Sequence, residues 1–291
     1  TITSIEALDG GGGTSRLSVQ SIIDKGITHA NNIEFRLDSY SSDGKIDASA
    51  LSGKISLRGT NQSDTLIGND DDNTIYLQSS NDIGSGYGVD TVIAGAGDDQ
   101  IYWSIQEYAG WHVSFSSTDT SSRTYYINAD LDGGEGQDNL TLSFYESYFY
   151  HAWGGNTWNE SESPPWRLDI SGLNLNNIES LNVTNLDTNR HWSYPAEFIF
   201  TGDQLASLNS IDGITSYEIV GGGEIDVEHL NHLGVSTWQI GDSLEYTITG
   251  TNSSDLLELK DADGSVATGL GDDRIKIDGQ GQRTGHFDGG D

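Results

Sequence analysis

The sequence of 291 residues contains no cysteine, no methionine and only three prolines. Without thiols there is no disulfide framework, no thiolate zinc site and no thiol chemistry. Basic residues are scarce: 13 Lys plus Arg stand against 45 Asp plus Glu, a formal charge of -32. Nucleic acid and anionic membrane surfaces need basic patches, so neither is an expected partner. No apolar run approaches the roughly 18 residues of a membrane span, so membrane insertion is not expected. No N-terminal signal peptide is visible. There is no GxSxG elbow, no P-loop and no GxGxxG before a helix. The absence of Met even at position 1, and an ending inside a repeat at FDGGD, predict an excised piece of a longer protein.

What is present is a nine-residue pulse. The segments GTNQSDTL, GNDDDNTI, SGYGVDTV and AGAGDDQI lie between Gly59 and Ile101. Asp64, Asn73, Asp82, Asp90 and Asp99 follow one another at steps of 9, 9, 8 and 9 residues. Leu66, Ile75, Val92 and Ile101 each stand two residues after the acid or amide; the unit at Asp82 departs, with Gly84 in that place. The phrase returns as GGEGQDNL (Gly133 to Leu140), GTNSSDLL (Gly250 to Leu257) and TGLGDDRI (Thr268 to Ile275). A glycine-rich half-repeat makes a tight turn. The three residues that follow alternate out and in as a short strand does, burying the apolar one. Stacked turns of this kind bring carboxylates and carbonyls together, and an all-oxygen ligand set suits a hard cation such as calcium.

This pattern resembles the GGxGxDxUx nonapeptide repeat of RTX proteins, the calcium-binding parallel β-roll of large bacterial adhesins and surface-layer proteins. The resemblance directly covers roughly a third of the chain. It implies an all-β fold, a right-handed parallel β-solenoid with RTX turns, and Ca2+ as the cofactor. It implies metal ligands at Asp64, Asn73, Asp82, Asp90, Asp99, Asp138, Asp255 and Asp273. The family joins alternate units, which would pair Asp64 with Asp82, Asn73 with Asp90, Asp82 with Asp99 and Asp255 with Asp273. Asp138 has no aligned neighbour in this scheme. The alternative for each is an Asp that only forms a turn. The unit Gly10 to Leu17 has Ser15 in place of the acid, so it is expected to keep the fold without the metal. The charge of -32 opposes folding by self-repulsion unless cations bind.

Alternating strand signals occur at Arg16–Val19, Ile33–Leu37, Lys54–Leu57, Phe198–Phe200 and Leu244–Ile248. Short helical turns are expected near Gln204–Leu208 and Val227–Leu233. Ile5-Glu6, Ile33-Glu34 and Ile178-Glu179 mark strands entering the sheet. The phrases starting at Ile46-Asp47, Leu168-Asp169 and Ile225-Asp226 read as one recurring corner. The expected division is a solenoid lead segment (1–56), a calcium repeat block (57–103), an aromatic-rich insertion with one isolated repeat (104–200), a linking segment (201–249) and a second repeat block (250–291).

Six of the seven tryptophans fall in the middle: Trp103, Trp111, Trp153, Trp158, Trp166 and Trp192. The nonapeptide rhythm stops there. Most of these rings are expected to form the core of an inserted lobe. Trp153, Trp158 and Trp166, flanked by Gly, Asn and Glu, are the candidates for ligand binding, since aromatic rings anchor sugars and peptides. Catalysis is the lesser reading. His229 and His232 form an i, i+3 pair without an HExxH motif, and ordinary surface histidines explain them better. His112, His151 and His191 lie near Arg123, Arg167 and Arg190, types used by polysaccharide lyases, but nothing fixes their geometry. Asn-x-Ser/Thr sequons are frequent enough here to be chance. The expected function is a non-catalytic, calcium-dependent extracellular module of a large bacterial surface or secreted protein that binds glycan or a cell-surface ligand. The RTX resemblance implies export by a C-terminal-signal route. Alternatives are a self-associating surface-layer or filament subunit, and a polysaccharide-active lyase or hydrolase.

Overall fold

The protein is described by a computed structural model covering residues 7–9, 18–37, 43–60, 62–79, 89–107, 124–146, 167–185, 197–214, 216–233, 237–240, 245–259, 263–277 and 285–290. It is mostly β, and every strand pairing among the described residues is parallel. The described helices are short: Val19–Ile23, Gly202–Ser207 and Val227–His232. None is long and apolar enough to cross a membrane. The chain divides into two compact units of interleaved segments: Thr1–Ser121, Asn128–Ser163 and Leu173–Trp192 form one, and Ser122–Ile127, Pro164–Gly172 and Ser193–Asp291 form the other.

In the first unit, successive strands alternate between two parallel sheets. Ile33–Arg36, Ile55–Arg58, Thr74–Ser79, Gln100–Glu107, Asn139–Glu146 and Ser180–Asn185 are neighbours in one. Gly44–Asp47, Asp64–Ile67, Asp90–Ile93, Ala129–Asp132 and Asn174–Asn176 are neighbours in the other. The register explains why the apolar pulse matters. Phe35, Leu57, Ile75, Ile101, Leu140 and Leu181 stand rung upon rung. Ile46, Leu66, Val92, Leu131 and Leu175 do the same in the second sheet. All are buried. A strand has a side-chain period of two, so a slip of one residue would expose the whole column. Each buried aliphatic contributes about 1.5–3 kcal/mol over its exposed state. Outside the core, Tyr76 stacks on Tyr102 at 5.4 Å and Arg58 lies 4.1 Å above the Tyr76 ring. Arg58 also pairs with Glu34 at 3.0 Å.

In the second unit, Glu197–Thr201, Ser216–Val220, Thr237–Ile240, Leu256–Leu259 and Arg274–Ile277 follow one another in one sheet. Gly223–Asp226, Glu245–Thr249, Asp263–Ala267 and Gly285–Asp288 make a second sheet. Phe198, Phe200 and Tyr217 form its aromatic core, with Phe200 edge-on to Tyr217. The helix Gly202–Ser207 begins with a capping box between Thr201 and Gln204. Gln204 Nε2 also donates to the Ile170 carbonyl at 2.8 Å.

The recurring corner phrase has a common cause. Asp47 accepts from Ser49 N and Oγ, Asp169 from Ser171 N and Oγ, and Asp226 from Glu228 N and His229 N. Each is an Asx-type turn that takes the chain out of a strand. The strand expected over Arg16–Val19 is not formed at its described end. Ser18 instead caps the helix Val19–Ile23, accepting from Ser21 N at 3.2 Å, because a Ser oxygen satisfies an orphan helix donor better than a strand ladder can use it. The two short helices expected near 204–208 and 227–233 are present within a few residues.

Candidate metal centre

The acid or amide of each repeat sits at the mouth of a strand. Asp64 and Asp90 open the strands Asp64–Ile67 and Asp90–Ile93. Asn73, Asp99 and Asp138 immediately precede Thr74–Ser79, Gln100–Glu107 and Asn139–Glu146. The apolar residue two places on is pinned in the core, so the preceding carboxylate points inward as well. Asp64, Asn73, Asp90, Asp99 and Asp138 are no more than 5% exposed, and Asp255 is 9% exposed.

These side chains form ladders. Each carboxylate accepts the main-chain N–H of the corresponding residue on the neighbouring strand. Asp90 Oδ1 accepts from Asp64 N at 2.9 Å. Asp99 Oδ1 accepts from Asn73 N at 2.6 Å, and Asp138 Oδ1 from Asp99 N at 2.8 Å. Glu179 Oε2 completes that run, accepting from Asp138 N at 2.7 Å. In the second unit Asp273 Oδ1 accepts from Asp255 N at 2.9 Å. The stacking is tight enough to demand glycine in the turns. A Cβ on Gly134, at φ +95°, would lie 1.6 Å from the Gly95 oxygen. One on Gly95, at φ +118°, would lie 2.1 Å from the Asn69 oxygen.

The pairing differs in part from the expected one. Asp255 and Asp273 do meet, 18 residues apart. Asp64 meets Asp90 and Asn73 meets Asp99, both at steps of 26, rather than at the expected 18 and 17. The strand paired with Asp64–Ile67 begins at Asp90, eight residues beyond Asp82, which lengthens the step. Asp138 is not isolated, since Asp99 lies against it across 39 residues of sequence. Glu179 was not singled out as a ligand. Its signal was there: it precedes Leu181 by two residues, as the repeat acids precede their apolar partners. Asp82 lies outside the described residues, as do Trp153, Trp158, Trp166 and Ser15.

Electrostatics make the ladder unstable as a row of bare charges. Burial pushes the Asp90 carboxyl up to about 7, with the Asp64 charge adding to the rise and the Asp64 N–H opposing it. Burial likewise pushes Asp99 up to about 7, helped by the charges of Asp138 and Asp72 and opposed by the Asn73 bonds. Asp138 is raised too, first by burial and then by Glu179 and neighbouring aspartates. Several oxygens have no partner although buried: Asp99 Oδ2, Asp138 Oδ2, Asp273 Oδ2 and Asn73 Oδ1. A buried carboxylate oxygen without a donor is costly unless it meets a proton or a cation. These all-oxygen donors fit a hard cation. Among the described residues no three His, Asp or Glu side chains converge as a cage, so the turn carbonyls would have to supply the remaining ligands. His229 belongs elsewhere: its Nε2 is 3.0 Å from the Leu205 carbonyl oxygen.

No protein-family model, curated protein or solved structure matches the chain.

Proposed function

We propose that this chain is a right-handed parallel β-solenoid of RTX type, loaded with Ca2+, acting as a non-catalytic extracellular module of a large bacterial surface or secreted protein. The observation that carries the reading is the ladder of buried carboxylates with unpartnered oxygens at Asp99, Asp138 and Asp273. Supporting it are the alternation of consecutive strands between two parallel sheets and a formal charge of -32. Bound calcium would neutralise the ladder and let the turns stack without protonation. Extracellular calcium modules work at about 10⁻⁴–10⁻³ M, so such a chain would be much less stable where free calcium is low than where it is high.

The module's ligand is a glycan or a cell-surface group, held by aromatic rings of the segment that carries Trp153, Trp158 and Trp166. A glycan array probed with and without calcium tests this. The reading expects retention of at least one glycan in calcium and none in EGTA. Trp153→Ala or Trp158→Ala should abolish retention at an unchanged melting temperature. Calcium-independent retention, or variants that fold poorly, would contradict it. A protein that retains no glycan and instead sediments as large assemblies would favour a surface-layer or filament subunit.

A further inference from the structure

The turns do not treat their acid alike, and the residue four places before it decides how. Asp64 is preceded by Thr60, and Asp255 by Thr251. Asp64 Oδ2 accepts from Thr60 N at 2.5 Å and from Thr60 Oγ1 at 2.9 Å, while its Oδ1 accepts from Gly44 N at 2.9 Å. Asp255 Oδ2 accepts from Thr251 N at 2.7 Å and its Oδ1 from Thr251 Oγ1 at 2.9 Å. Both oxygens of each are engaged. At Asp99, Asp138 and Asp273 the fourth residue back is Gly95, Gly134 or Gly269. A glycine has no hydroxyl, and in these turns its N–H does not reach the acid's Oδ2 as the N–H of Thr60 and Thr251 does, so each of these acids leaves its Oδ2 buried and unpartnered.

Asn73 is a third case. Its Nδ2 lies 2.5 Å from the Asp71 carbonyl oxygen, 3.0 Å from that of Asn69, 3.2 Å from that of Ala94 and 3.1 Å from Asp99 Oδ1. An amide nitrogen carries two protons, fewer than the oxygens around it. The opposite orientation would turn Oδ1 onto four acceptors. A nest of converging oxygens is a place for positive charge. Asn73 fills it with the partial charge of a carboxamide, whereas Asp99 and Asp138, on the next rungs, have no proton to offer at that point.

We propose that the Asn73 carboxamide stands in for a cation, that Thr60 and Thr251 make the Asp64 and Asp255 turns independent of metal, and that ions bind only at turns with glycine in the fourth place, which among the fully described turns are those of Asp99, Asp138 and Asp273. The inference rests on the calcium reading above and divides its ligands. It takes the oxygen nest filled by Asn73 Nδ2 out of the ion sites, although Asn73 Oδ1 itself is left without a donor, and frees the Asp64 and Asp255 turns from calcium.

The test is a gain of function. Calcium titration calorimetry on the full chain should show one more ion per chain for Asn73→Asp than for the wild type, because a carboxylate would then face the oxygen nest. Thr60→Val provides a second readout: it should lower the melting temperature equally in calcium and in EGTA and leave the calcium count unchanged. An Asn73→Asp protein that folds in calcium without an added ion overturns the inference, as does a Thr60→Val protein that changes the count. A wild-type chain that binds no calcium would overturn both this inference and the calcium reading. A wild type that binds calcium, joined to a failed gain of function, would overturn this one alone.

Discussion

The turns 59–66 and 94–101 lie in the same unit and end alike, in an acid, a polar residue and an aliphatic one. They place Asp64 and Asp99 at nearly equal depth, 2% and 0% exposed. Asp64 finds three donors within the protein. Asp99 receives both of its bonds on one oxygen and has its other oxygen bare. Two of those three donors are main-chain N–H groups, of Thr60 and Gly44, so the path of the backbone is part of what separates the turns. The residue four places earlier also differs: Thr60 gives its N–H and its hydroxyl to Asp64, whereas Gly95 has no hydroxyl and its N–H does not reach Asp99 Oδ2. Glycine there permits the close stacking seen at Gly95 and Gly134 and lacks the hydroxyl, leaving a buried carboxylate oxygen that the proposed cation would satisfy.

The largest expected effect applies to both kinds of turn. Leu140→Ala should destabilise the protein by about 2–5 kcal/mol, because Leu140 is fully buried between Ile101 and Leu181. Urea unfolding in calcium and in EGTA should show similar losses. A loss confined to calcium would mean that the apolar column does not hold the strands by itself.

Asp99→Asn sharpens the contrast. It should forfeit the stabilisation that one ion gives, about 2.7 kcal/mol at a calcium concentration a hundred times the Kd. In EGTA it should be at least as stable as the wild type, since it removes a buried charge. Calorimetric melting in both conditions checks this, and an equal loss in both would place Asp99 with Asp64.

Acidity should separate the calcium-free protein from the loaded one. Asp90 and Asp99 have folded pKa values of about 7 against an ordinary 3.8. Between those values the folded state holds protons that the unfolded state has released, so stability falls as pH rises from about 4 to 7. On the proposed calcium reading, bound ions would replace those protons and flatten the slope. Melting temperatures across that range in EGTA that rise with pH would contradict the burial of these groups as free carboxyls.

The smallest effect lies on the outer face. Arg58→Ala removes a partly exposed cation over Tyr76 and an ion pair with Glu34. It should cost about 0.5–1 kcal/mol from the ring contact, decline with salt for the ion-pair part, and be indifferent to calcium.

Much of this was legible in the sequence, and for a physical reason. The period of an Asp or Asn two places before an aliphatic residue fixes which side chains turn inward, and Leu66, Ile75, Val92, Ile101 and Leu140 are all buried accordingly. The corner phrases were legible because Asp bonds its own local backbone. Pairing across rungs was not, because it depends on how many residues separate the paired strands, and the steps of 26 and 39 break the arithmetic of a regular repeat. Glu179 carried the same spacing ahead of Leu181, but a Glu in place of the repeat's Asp or Asn hid it, its longer side chain reaching the place that Asp occupies elsewhere. The division between Thr60 and Gly95 needed the donor and acceptor partners, since both residues read simply as turn formers.

The most direct test of the account is the thermal unfolding of the wild-type chain, followed by circular dichroism at pH 7 in millimolar calcium and in EGTA. The account predicts a large fall in melting temperature or loss of much of the β signal when calcium is removed, reversed on its return. A melting curve that is the same in both would contradict the claim that cations hold the Asp99, Asp138 and Asp273 turns.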